Sequence, residues 1–171
     1  ATAPPAASGG DWRLGFEPVL AWLHRDPEAC VDMLEIRHNL GQVRLTADHM
    51  VFARRAGAPE GGAPEGEAAA AAPMLASDLA VGDRVLAPWI DGGVALPEVT
   101  SIARSRMRGL FAPLVDSGML LVDNALVSCY ALPSHIAASP LCAALVEGAG
   151  RNAIQDAAHA LLRPLRLACR G

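Results

Sequence analysis

A threonine and a histidine three residues apart, Thr46 and His49, close an extended segment that reads Leu45-Thr46-Ala47-Asp48-His49-Met50-Val51-Phe52. Around a turn, a hydroxyl and an imidazole at that spacing can both reach one peptide group, and so polarise or twist the bond they hold. The same pair can also do no more than cap the turn, because threonine hydroxyls bond readily to nearby backbone. Imidazole is equally a metal ligand, and His24, His49 and a thiolate would suit zinc. The further histidines, His38, His135 and His159, fall at spacings that match no zinc template, so neither a metal nor another cofactor is expected. Cys30, Cys129, Cys142 and Cys169 show no paired spacing and are too sparse for a disulfide framework. Free cysteine is a common core residue, and that reading covers Cys30, Cys142 and Cys169.

The elements that must position these side chains read as short strands. Val19, Leu20, Trp22 and Leu23 form an apolar run beside Pro18, which predicts a strand near 18–24 leading to His24 and Asp26. Residues 29–37 alternate between apolar and polar, Asn39-Leu40-Gly41 supplies a turn, and Gln42 to Thr46 returns in extended form. Residues 56–73 are almost entirely Gly, Pro, Glu and Ala, a composition that cannot offset the entropy of ordering; a flexible insertion is expected there. Beyond it, Leu79 to Leu86 reads as a tight Gly82-Asp83 turn feeding a strand, with Asp91-Gly92-Gly93 as the next turn. Apolar runs at 99–102, 110–113, 119–122 and 125–130, separated by Gly109, Asp116-Ser117-Gly118 and Asp123-Asn124, predict strands of about four to six residues and an all-β domain. From Pro140 the pattern changes. Ile154, Ala157, Ala158, Leu161, Leu162 and Leu165 fall at helical spacing across 153–167, and Pro164 should kink or end that helix. The resulting division is a disordered segment 1–10, a β domain 11–139 and a helical tail 140–171. Gly10-Asp11 and Gly82-Asp83, each followed by an extended segment, hint at an internal duplication.

With 171 residues, 52% of them hydrophobic, the chain can bury one ordinary core without staples. Its net charge of −4 comes from 14 basic and 18 acidic residues scattered along the chain. That leaves no concentrated basic surface, which argues against nucleic acid as a partner; separately, a monomer is expected. The opening ATAPPAASGG lacks the basic start and apolar run of a signal peptide, and no stretch approaches the ~20 apolar residues of a membrane span. The chain therefore reads as beginning inside a longer protein.

Five blocks resemble, in order, the autoprocessing (Hint) domain of hedgehog-type proteins. Leu45 to Phe52 is similar to the Leu-Thr-x-x-His-Leu-Val-Phe block of that family. Arg13 to Asp26 resembles its strand ending Phe-Leu-Asp-Arg-Asp, Leu79 to Leu86 its Leu-x-x-Gly-Asp-x-Val-Leu turn, and Gly109 to Leu114 its Gly-x-Phe-Ala-Pro-Leu. The most specific block is Gly118 to Ala131 (GMLLVDNALVSCYA), with His135 following at the family distance.

The resemblance implies an all-β Hint fold with pseudo-twofold symmetry, a short helical tail, and two chemical steps. An amino-terminal cysteine attacks the preceding carbonyl to give a thioester; a sterol hydroxyl, cholesterol in the family, then displaces it and esterifies the upstream signalling fragment, the partner in cis. By position, Thr46 and His49 would orient and polarise the scissile amide, and His49 would protonate the departing amine. Cys129 matches the family's buried Ser-Cys-Tyr cysteine near the site, and His24 stands where hedgehog proteins carry the aspartate that activates the sterol. An imidazole can serve as that base; His24 can equally be a strand histidine without a role, and Asp26 would take its place if the register slipped by two. His38-Asn39 resembles the dipeptide that ends an intein, but Leu40 follows where Cys, Ser or Thr is needed, which argues against splicing. The family's opening cysteine and first strand pair have no counterpart in the ten residues before Asp11, so the chain alone is expected to be inert. The resemblance also implies passage through the secretory pathway. A degenerate, non-catalytic Hint module that holds lipid or serves structurally is the alternative, and the tail helix is either part of a sterol-recognition region or a plain packing helix.

Overall fold

The computed structural model describes residues 14–58, 71–90, 92–132, 139–140, 144 and 152–169. Its dominant feature is an antiparallel ribbon of two long strands, β1 (Ala21–His38) and β8 (Val99–Leu114). The expectation of short strands fails here. Pro18 to His24 and Ala29 to Arg37 do not form two strands; the chain runs extended from Ala21 to His38, and the runs at 99–102 and 110–113 are likewise one strand. The breakers are absorbed rather than obeyed. The ladder pairs Asp26 with Leu110 and next Cys30 with Arg108, so Pro27 sits in a bulge opposite Gly109, where it needs no ladder donor. Asp26 Oδ1 accepts the freed amides of Glu28 (2.9 Å) and Ala29 (3.0 Å), and Gly109 has φ +95°.

The predicted turn at Asn39-Leu40-Gly41 joins β1 to β2 (Gly41–Leu45), with Leu34 paired to Leu45. The order β2-β1-β8 makes one sheet. A second sheet runs β4-β3-β10-β9, formed by β4 (Ala72–Leu75), β3 (His49–Arg54), β10 (Ala125–Ala131) and β9 (Met119–Val122), with β5 (Arg84–Val85) also on β3. A small hairpin, β6 (Ala87–Pro88) with β7 (Val94–Ala95), brackets the predicted turn near residue 92. Ala72 and Pro73, placed in the insertion from composition, belong to β4 and pair with Ala53 and Phe52; ordered strand thus resumes earlier than composition suggests. Residues 59–70 of that insertion, the segment 1–10 and His135 lie outside the described residues.

Alternating side chains from both sheets meet in a core of Ile36, Val43, Val51, Val85, Val99 and Val127, all inaccessible to solvent. Asp83 anchors the turn before β5. Its buried carboxylate accepts the amides of Ala56 (2.8 Å) and Ala80 (2.9 Å) and the guanidinium of Arg55 (3.1 Å), which ties the end of β3 to the Gly82 turn. Behind β10 lie two short helices, α1 (Ala153–Leu161) and α2 (Arg163–Ala168). Pro164 falls in the first turn of α2, where its missing N–H costs nothing, so the periodic stretch becomes two helices with a break at Leu162. Ile154, Ala158 and Leu162 pack on Met50, Leu114, Val115, Cys129 and Tyr130. Among the described residues no helix is long and apolar enough to cross a membrane.

Candidate functional site

The site grows out of a mismatch between two strands. Val127 pairs with Val51 and Ala131 with His49, four steps along β10 against two along β3, so Ser128, Cys129 and Tyr130 arch away from the ladder. Their backbone groups must find other partners. Cys129 N donates to Gly118 O at 2.8 Å, and Tyr130 N donates to Ser128 Oγ at 2.9 Å. The Ser128 carbonyl is taken by the His49 ring, whose Nε2 lies 2.8 Å away. Because a carbonyl only accepts, Nε2 carries the hydrogen, and in the neutral ring Nδ1 keeps its lone pair.

His49 begins β3 immediately after a turn in which its own N–H donates to Thr46 O at 3.1 Å, and the turn is held from outside by Ser77 N to Ala47 O at 2.9 Å. Thr46 is partly buried. Leu132 N donates to Asp48 O at 2.8 Å, closing the far end of the arch over the same turn. The Thr46/His49 turn and the Ser128-Cys129-Tyr130 stretch thus form one unit. Burial lowers the His49 pKa; the Ser128 carbonyl and the nearby Asp48 charge oppose this more weakly. The ring is therefore neutral at physiological pH and able to take a proton. Burial likewise pushes the Cys129 thiol up to about 12, so it is un-ionised at neutral pH and packs as a small apolar group beside Met50 and Val115.

His24 has a different setting. It is exposed on β1, paired with Ala112, three residues beyond Ala21, which packs against the cluster holding Met50 and Cys129. Trp22 and Phe111 meet edge to face at 6.1 Å on the same stretch, with Arg25 stacked over Trp22. Asp26 is engaged by the bulge. The Thr46/His49 turn and the strand that carries Cys129 are joined by the His49–Ser128 and Leu132–Asp48 bonds, whereas His24 lies exposed farther along β1. Among the described residues no cluster of three or more His, Cys, Asp or Glu side chains is placed to hold a metal.

Sequence reasoning missed the support on the other side of β10. Ser128 Oγ donates to Gln155 Oε1 at 2.6 Å, and Gln155 Nε2 reaches Gly118 O at 3.3 Å. Arg166 donates to the Tyr130 hydroxyl (2.8 Å) and to His159 O (2.6 Å), and Tyr130 Oη lies 3.0 Å from His159 Nδ1. Gln155, His159 and Arg166 are spaced by four and seven, one stripe of a helix, so polar residues recurring beside Ala158 and Leu162 were the available signal.

The two-sheet β body with its long antiparallel ribbon has counterparts among solved structures. The chain superposes on the transcription factor IIB Mvu mini-intein over 74% of its own length and 70% of that chain, with a TM-score of 0.52 at 18% identity. It also superposes on the DnaX mini intein from Spirulina platensis over 74% of its length and 78% of that chain, at TM-score 0.50 and 19% identity. At these identities the likeness speaks for the fold. Residues 6–142 match the family model described as Hint module, and the chain belongs to that family. Among curated proteins it is 33% identical to the Indian hedgehog protein of Gallus gallus over 129 residues, covering 74% of this chain and 30% of that protein. It is 29% identical to Warthog protein 4 of Caenorhabditis elegans over 133 residues, 71% of this chain and 23% of that protein. Tiggy-winkle hedgehog protein of Danio rerio is 32% identical over 102 residues, 58% and 22% of the two chains. The chain thus spans 22% to 30% of these relatives.

Proposed function

We propose that this chain is the autoprocessing domain of a hedgehog-type protein, which cleaves the peptide bond ahead of it and hands the upstream fragment to a sterol. The observation that carries the reading is the fixed His49 ring: its Nε2 is held on the Ser128 carbonyl, beside the Thr46 turn, in a Hint family member with hedgehog relatives. Residues 1–29 contain no cysteine, so the reading assigns the nucleophile to a cysteine upstream of residue 1 in the longer parent. Its thiolate forms a bond to the preceding carbonyl carbon and the C–N bond breaks. His49 Nδ1, the nitrogen with the lone pair, takes the thiol proton and returns it to the departing amine. Thr46 orients the amide, and Cys129 keeps the strand beneath it dry. In the second step a sterol hydroxyl attacks the thioester carbon, the C–S bond breaks, and the hydroxyl proton passes to a base. The reading assigns that role to His24, exposed on the ribbon three residues from Ala21, with Asp26 Oδ1 engaged by the bulge amides. The substrate class makes a secretory-pathway location, an upstream signalling fragment in cis and a monomeric domain part of the same proposal.

The test is a longer chain with an upstream cysteine and a reporter fragment. We expect cleavage on adding a strong thiol, a fragment heavier by the sterol when cholesterol is supplied, and loss of both in His49→Ala. An intact chain in excess thiol sinks the proposal. A second reading, a non-catalytic lipid-holding module, draws on Leu161 and Leu167, 80% and 53% exposed on α1 and α2; lipid retention by the uncleaved chain would favour it.

A further inference from the structure

The arch in β10 is held from both sides, and the two holds are chemically linked. On the side of the proposed chemistry the Ser128 carbonyl receives His49 Nε2; on the opposite side the Ser128 hydroxyl donates to Gln155, whose amide nitrogen reaches Gly118 O, the same carbonyl that accepts Cys129 N. Ser128 is wholly buried and Gln155 nearly so, so neither can exchange its partner for water. Strand bulges lose ladder bonds, and the orientation of their carbonyls is then set by whatever else holds the residue. Ser128 keeps its place opposite Met119 on β9 and accepts Tyr130 N on its hydroxyl, and the side chain that reaches it from α1 is Gln155.

We infer that Gln155 is a positioning residue for His49: it clamps the hydroxyl of Ser128 and thereby aims the Ser128 carbonyl that selects the Nε2–H tautomer and leaves Nδ1 as the proton-exchanging atom. The inference deepens the proposed autoprocessing, on which its catalytic meaning rests, although the clamp itself is a property of the folded chain. His159 and Arg166 lie on the same pair of helices but bond to Tyr130 rather than Ser128, so they serve as an internal control.

The test reads the tautomer of the His49 ring by nitrogen NMR in the isotope-labelled chain at about pH 8, where an imidazole is neutral. No upstream cysteine and no turnover are involved, so a failure of the autoprocessing reading leaves this result untouched. In the unaltered chain His49 is expected as Nε2–H. Gln155→Met, which keeps bulk and removes both amide bonds, should move the ratio about fivefold toward Nδ1–H, the worth of one ordinary hydrogen bond. Ser128→Ala, which cuts the same link from the other end and also frees Tyr130 N, should shift it at least as far, and the double variant should add little to Ser128→Ala. His159 should keep its bond to Tyr130 throughout. If Gln155→Met does not fold, Gln155→Leu takes its place, because Ser128→Ala also removes the acceptor of Tyr130 N. An unchanged His49 tautomer in whichever variant folds overturns the inference. So does loss of the His159–Tyr130 bond alongside it, which would mean undocking of the helix rather than aim.

Discussion

His49, Cys129, His38 and His159 illustrate how burial decides what a side chain can do. The three histidine pKa values are lowered, in each case chiefly by burial. Arg166 adds its charge at His159, against weaker raising by Asp116 and Asp156. In the unfolded chain a histidine takes up its proton near pH 6.5; in the folded chain these three do so only at lower pH. Stability contributed by the neutral rings is therefore complete above about pH 6.5 and is lost as pH falls toward the folded values. Urea midpoints should fall between about pH 7.5 and pH 5, and His49→Gln should flatten part of that slope. A midpoint indifferent to pH in this range would contradict the burial assigned to these rings.

At the level of elements, the contact between β10 and α1 depends on the turn between β8 and β9. Gly118 has φ +72°, and a Cβ there would stand 2.6 Å from His159 Nδ1 and 3.1 Å from Tyr130 Oη. Only glycine satisfies both the left-handed backbone and the close approach. Gly118→Ala is expected to cost about 1–3 kcal/mol and to displace His159 from Tyr130. Denaturant midpoints measure the first effect and the His159 nitrogen shifts the second. Preservation of both would show that α1 does not rest on this turn.

For the molecule as a whole, the question is whether the helical tail belongs to the β body. Ile154, Ala158 and Leu162 cover the cluster that includes Cys129 and Tyr130, while Gln155 and Arg166 supply its polar bonds. A chain ended after Gly150 should lose a few kcal/mol, on the order of 2–4, since it removes the partly buried Ile154 and Leu162 and uncovers Cys129 and Tyr130. Cys129, protected in the full chain, should become open to alkylation, readable by mass spectrometry. Equal stability and an equally protected Cys129 would make the tail an appendage.

What the amino-acid order determined by itself was local. Alternation marked the strands, Gly82-Asp83 and Asn39-Leu40-Gly41 marked turns, helical spacing marked the tail, and the Thr46-to-His49 turn was visible because its partners are neighbours. The ordered blocks also carried the family. Tertiary structure decided the rest. Pro27 and Gly109 read as breaks, yet they face each other across β1 and β8 and permit one continuous ribbon, which no local pattern can state. The partner of His49 is a carbonyl 79 residues away, released by a bulge that exists only once β10 is paired with β3. Gln155 and Arg166 look like surface residues of a helix until packing buries them, because the need for a partner arises only where water is excluded.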